Sequence, residues 1–329
     1  MNGIGIFTKR ALWIGLVVLL IPGGILALVG FAYRAYRQSS EPALDPIVST
    51  VTSASITAVD LATTAPTDNL AEGFETPSPT ANLSVSLATS TAVYQQIEST
   101  ARVDKTWQMI GQVNKDRALA DLRQLSGDVP ICTKSGCYTI TNRLDGSVGL
   151  HWAKDYIYQE LVNFGYSPEI QDWSRSRYSD QNIVTRKQGI SSPNEEIYFV
   201  AHIDGVKPAG KGLFPAADDN ASGVVDLLEV ARVLSSYSFN RTIVFLFTTG
   251  EEQGTSGVRS YIDQLSQGEL SSIKYVINVD MVGYNADNDG GIELWYGGHP
   301  PSFALAQTLD ETIKAYQLKL VPRFVVGCG

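Results

Sequence analysis

The sequence predicts an α/β domain, a mostly parallel mixed sheet sandwiched by helices, set behind an apolar segment and a polar linker. Three observations predict it. Short apolar runs alternate with amphipathic stretches after Gly165. Ala11 to Tyr33 carries no charge. Ser, Thr, Ala and Pro dominate from about Ser39 to Thr91, where aromatic residues almost vanish.

The chain has 329 residues, a net charge of −9 and 44% hydrophobic residues, enough for one large domain and an additional segment. No cluster of Lys and Arg appears, so nucleic acid is excluded as the main partner, since phosphate binding needs such clusters. Residues 1–10 read as a short tail. Residues 11–33 read as a transmembrane helix: at about 1.5 Å per residue the run spans about 34 Å, against a hydrocarbon core of about 30 Å. Lys9 and Arg10 precede it and Arg34 and Arg37 follow it, so charge does not set its orientation. The alternative is a cleaved signal segment, with Gly30 and Ala32 near the cut. Residues 34–93 then form a flexible stalk, too poor in apolar side chains to offset the entropy of ordering. This arrangement predicts a single-pass cell-membrane protein with its domain outside the cytosol, or a secreted one after cleavage.

The domain is expected over 94–329. Helical spacing marks Tyr94 to Leu125 and Gly149 to Phe164, the second stopped by Gly165. Cys132 and Cys137 flank a Ser-Gly turn and either close a short disulfide loop or remain two unpaired residues. Ile197–Ala201, Thr242–Phe247 and Lys274–Val279 are buried-strand runs, separated by helices over Ala221–Tyr237 and Ser256–Leu265. Ile292–Tyr296 and Leu320–Val326 flank a further helix over Phe303–Tyr316.

The polar residues fall at the ends of these runs. His202 follows the first strand, Glu251 and Glu252 the second, and Asp280 the third. Asp218 lies just before the first of these helices. Ligand crevices of α/β sheets lie at the carboxyl ends of strands, so these groups converge on one rim. Alone, each has a plain reading as a loop, cap or surface residue. Together, four carboxylates in one crevice repel, and two divalent cations would cancel their charge. A neutral imidazole added to carboxylates suits zinc. Asp218, held by small residues at a helix start, could bridge two metals about 3.5–4 Å apart. Asp204, two residues past His202, could orient the imidazole.

The motifs AHIDG, PAADDNASG, FTTGEEQGTSG and INVDMVG resemble those of the co-catalytic zinc exopeptidases of clan MH, which include bacterial leucyl aminopeptidases, glutamate carboxypeptidase II and glutaminyl cyclase. The resemblance runs from about Val113 to Phe324 and implies the zinc-exopeptidase, phosphorylase/hydrolase-like fold. It implies that His202, Asp218 and Asp280 bind one Zn2+ and Asp218 and Glu252 another, with Glu251 as general base and Asp204 supporting His202. It also implies a cis peptide at Asp218-Asp219. The expected function is hydrolysis of N-terminal residues from peptide substrates by metal-activated water. The alternatives are an inactive binding ectodomain, a carboxypeptidase or a glutaminyl cyclase relative. The family also supplies a later metal-binding histidine from a Ser-Asp-His segment, absent before Gly329, so the sequence is expected to be truncated at its C-terminus. His151 and His299 are the other histidines, and His299 sits in a Gly-Gly-His-Pro-Pro turn expected at the surface.

Overall fold

In a computed structural model of the chain, residues 13–21, 24–32, 53–57, 105–206 and 214–327 are described. The N-terminal tail, most of the 34–93 linker and the first part of the 94–125 helical stretch lie outside these residues. The first departure from expectation is at the apolar segment. It forms two antiparallel strands, β1 (Trp13–Ile21) and β2 (Gly24–Ala32), instead of one helix. Among the described residues no helix is long and apolar enough to cross a membrane. The physical reason lies in the sequence between the strands: Pro22 lacks an N–H and Gly23 and Gly24 weaken a helix, so the run divides into two halves that satisfy each other's backbone groups. The second departure is β3 (Ser53–Thr57), a strand inside the expected stalk. Its Ile56 and Thr57 are β-branched, the type that suits a pleated strand.

The 94–125 stretch is broken. A helix at 105–111, α1, is separated from α2 (Lys115–Leu125) by the cap residue Asn114, whose side chain accepts a hydrogen bond from Arg117 N. Cys132 and Cys137 are disulfide-bonded across a small hairpin, β4 (Ile131–Thr133) with β5 (Gly136–Tyr138). Next, α3 (Val148–Asn163) starts at Ser147, which caps Leu150 N, and buries Leu150, Ala153, Ile157 and Leu161 along one stripe.

A hairpin of β6 (Glu169–Arg175) and β7 (Tyr178–Lys187) precedes the long β8 (Ser192–His202). An irregular turn leads into α4 (Gly223–Ser235), then β9 (Arg241–Thr248), α5 (Ser256–Gln264), α6 (Gln267–Ser272) and β10 (Ile273–Asn278). The chain continues through β11 (Gly291–Tyr296), α7 (Pro300–Ala315) and β12 (Val321–Val326). Eight strands form one mixed sheet in the order β12-β11-β3-β10-β8-β9-β7-β6. β8 runs parallel to β9 and β10, and β11 to β12, whereas β3 opposes β10 and β7 opposes β9.

Both faces of the central strands are buried, because side chains alternate across a strand. Ile243, Phe245 and Phe247 join Ile197, Phe199 and the helices α2, α3 and α4 in the larger cluster. Val244 and Leu246 join Tyr198, Val200 and Tyr261 of α5 in the smaller one. Each fully buried side chain of this size contributes about 1.5–3 kcal/mol. These two layers fix β8, β9 and β10 in register, so their carboxyl ends open on one edge.

Candidate metal centre

His202 is the last residue of β8 and is 3% exposed. Its Nδ1 lies 3.0 Å from the Asp204 carbonyl oxygen. That contact assigns the proton to Nδ1 and turns Nε2 toward Asp219 Oδ1 at 3.2 Å and Asp280 Oδ1 at 3.5 Å. His202, Asp219 and Asp280 each offer one atom to a group whose atoms all lie within 4.8 Å of one another.

Asp219 occupies the position expected for Asp218. The reason is local geometry. Between Ala217 and Ser222 the backbone leaves helical angles at Asp219 (φ −105°, ψ 94°) and Asn220 (φ −130°, ψ 45°). Alternate side chains therefore face opposite ways. Asp218 Oδ1 accepts from Gly283 N at 2.8 Å, Asn220 donates to Val279 O at 2.8 Å and accepts from Met281 N, and Ser222 Oγ accepts from Val282 N at 3.1 Å. Residues 218, 220 and 222 thus clamp the loop around Asp280, and Asp219 turns to His202. The cis peptide is likewise one residue later than expected, at Asp219-Asn220. Ala216 (φ 45°) and Met281 (φ 50°) flank the two acids in the left-handed region, a strain of about 1–3 kcal/mol each that surrounding contacts must hold.

Asp204 also differs in detail from expectation. It reaches the imidazole through its carbonyl, while its carboxylate accepts from Glu251 N at 3.3 Å and Glu252 N at 3.1 Å. Oδ1 stands 3.7 Å from His202 Nδ1. The buried Asp204 therefore ties the end of β8 to the turn carrying both glutamates. That turn has a second fastening that sequence reasoning missed. Asn182, wholly buried on β7, accepts from Thr249 N and donates to Gly257 O, and Trp173 Nε1 donates to Thr249 Oγ1. Gly250 (φ 70°) is required because a Cβ there would sit 2.5 Å from the Trp173 ring. The one available signal for Asn182 was a buried-strand run opening on an amide.

The electrostatics ask for a cation. Burial opposes a charge on His202, yet Asp204, Asp219 and Asp280 push its pKa well above the ordinary value. Burial, then the charge of Asp219, raises Glu252 to about 7. Burial also raises Glu251, as do the nearby Asp280, Asp204 and Asp219, against the pull of His202. Burial raises Asp218 as well, against its bond from Gly283 N. Asp280 Oδ1 and Glu252 Oε1 are buried with no hydrogen-bond partner. Orphaned carboxylate oxygens beside a ring nitrogen fit a divalent cation of the zinc type. His299, at the cap of α7, is exposed and outside this group.

The sequence model of Peptidase family M28 matches residues 182–325, in line with the resemblance carried by the four motifs. Similar curated proteins include a "probable leucine aminopeptidase 2" of Aspergillus oryzae, 32% identical over 119 residues that cover 35% of this chain and 23% of the relative. Another is "Aminopeptidase YwaD" of Bacillus subtilis, 38% identical over 106 residues that cover 32% of this chain and 22% of the relative. The matched region thus spans less than a quarter of each relative's length. Among solved structures, LapB from Legionella pneumophila shares the fold, with a TM-score of 0.51, 24% identity, and coverage of 67% of this chain and 57% of that one.

Proposed function

We propose, from the premise that residues 182–325 belong to Peptidase family M28, that this chain is a zinc-dependent exopeptidase of the aminopeptidase type. The observation that carries the reading is the convergence of His202 Nε2 with the Asp219 and Asp280 carboxylates. The two curated relatives described above, both named as aminopeptidases, support the exopeptidase class and peptide substrates.

His202, Asp219 and Asp280 would hold one zinc, and Asp219 with Glu252 a second. When bound there, zinc would make water a nucleophile near neutral pH and polarise the scissile carbonyl. Glu251 takes the proton from the attacking water and returns it to the leaving amine. Its raised pKa brings its proton affinity closer to neutral pH, where a general base works best. Asp204 holds Glu251 by its backbone N–H and His202 by its carbonyl, so base and imidazole share one support. Asp218, Asn220 and Ser222 hold Asp280 through the 279–283 backbone. The Cys132–Cys137 disulfide supports a location outside the reducing cytosol.

The test is hydrolysis of a panel of aminoacyl chromogenic substrates. We expect zinc-dependent cleavage by the wild type. Glu251→Gln should lower kcat by about 10²- to 10⁴-fold while zinc content stays unchanged. Full turnover by that variant would remove Glu251 from the mechanism.

A further inference from the structure

Arg143 is 1% exposed, and among the described residues its guanidinium makes no hydrogen bond to His202, Asp219 or Asp280. Its hydrogen bonds go to backbone carbonyls. Nε donates to Ile203 O at 2.8 Å, Nη1 to Leu125 O at 2.5 Å and Pro215 O at 2.9 Å, and Nη2 to Ala216 O at 2.8 Å. Its own carbonyl accepts from Gly205 N at 3.0 Å. Three segments meet on one side chain. One is the end of α2, one follows His202, and one precedes Asp219.

The last two carry groups that face each other at 3.2 Å, His202 Nε2 and Asp219 Oδ1. Among the described residues, no backbone hydrogen bond joins these two segments directly. We infer that Arg143 is a positioning residue, which sets the spacing between the His202 and Asp219 segments and so the width of the metal site. The inference rests on the metal-site reading above. A guanidinium suits the task because its donors lie in a rigid planar fork and can serve several acceptors at once. A lysine ammonium offers three donors from one point and cannot reach all three segments. The charge has a second use. Burial lowers the Arg143 pKa to about 10, with Asp204 and Asp219 opposing that shift, so it is still a cation at neutral pH. Its positive charge therefore offsets part of the negative charge that Asp204 and Asp219 bring to the site.

The experiment compares Arg143→Lys and Arg143→Gln with wild type and with Ile157→Ala, a control in the buried stripe of α3. Zinc affinity is read by competition with a chelator. Amide hydrogen exchange over 203–205 and 214–221 is read on the zinc-free chain. Urea unfolding matches the variants for stability. We expect Arg143→Lys to weaken zinc binding by about 10- to 100-fold, the range for groups that orient metal ligands. We also expect it to speed exchange in both segments together, while Ile157→Ala leaves affinity within about twofold at a similar stability loss. Should Arg143→Gln fail to fold, Arg143→Lys, which keeps the charge, decides. Unchanged affinity and unchanged exchange would overturn the inference, as would equal losses in Ile157→Ala. A wild type that takes up no zinc would sink the metal-site reading instead, and the zinc-free exchange data would then decide separately whether Arg143 couples the two segments.

Discussion

Two acidic clusters, one among the helices α2, α3 and α4 and one at the carboxyl ends of β8, β9 and β10, differ in what neutralises them. In the helical cluster, Asp121 of α2, Glu160 of α3 and Glu229 of α4 surround Arg117, which bonds to Asp121 at 3.3 Å and to Glu160. Arg232 reaches Glu229 at 2.5 Å, and Tyr156 donates to Asp121 at 2.6 Å. At the rim, Asp219, Asp280, Glu251 and Glu252 form no ion pair with Lys or Arg among the described residues. They face a histidine and leave two carboxylate oxygens orphaned. Composition does not distinguish the clusters. Direct ion pairing does, since Arg143 stands near Asp219 but bonds only to carbonyls, and an acid cluster without paired cations is the place to look for a metal.

Removing the internal cation should affect only the helical cluster. Arg117→Met takes the guanidinium from Asp121 and Glu160 while Glu229 keeps Arg232, and we expect a loss of about 2–3 kcal/mol after discounting for the partly exposed guanidinium. Urea unfolding checks the loss, and zinc uptake should be unaffected. A smaller effect sharpens the rim. Asn182→Ala removes buried partners of Thr249 N and Gly257 O, which should cost about 1–3 kcal/mol. Unlike Arg117→Met, it should also lower kcat, because the turn carrying Glu251 and Glu252 loosens. A stability loss with unaltered kcat would separate that turn from catalysis.

A third effect depends on pH and concerns Asp226 of α4, which is fully buried and has neither carboxylate oxygen hydrogen-bonded. Burial, then the nearby Glu229, raises its pKa well above 3.8. The native chain therefore holds this proton more tightly than the unfolded chain. Stability contributed by the neutral acid is present at low pH and declines as pH rises above about 4, by about 1.4 kcal/mol per pH unit up to the folded value. Asp226→Asn should flatten that slope in urea titrations from pH 4 upward. An unchanged slope would mean the carboxyl finds a partner in solution.

Much of the fold was legible because apolar runs of strand length, bounded by turn residues, can hardly do anything but pair. β8, β9 and β10 lie within a few residues of their expected bounds, and His202, Glu251, Glu252 and Asp280 follow from those strand ends. Ala11 to Tyr33 was not legible, because an all-apolar run has no period to separate a helix from a hairpin. Asp218 and Asp219 are chemically identical neighbours, and an irregular backbone chooses between them, so spacing alone could not. Arg143 and Asn182 act on backbone groups that only the tertiary fold brings near, so their roles cannot be read from the local sequence.

The central claim is that the rim acids gather around a cation through Asp219, with Asp218 serving the neighbouring loop. Zinc content after dialysis, measured by elemental analysis on wild type, Asp219→Asn and Asp218→Asn, tests it most directly. The account predicts that wild type and Asp218→Asn retain zinc and that Asp219→Asn loses it. Retention by Asp219→Asn with loss from Asp218→Asn would contradict it.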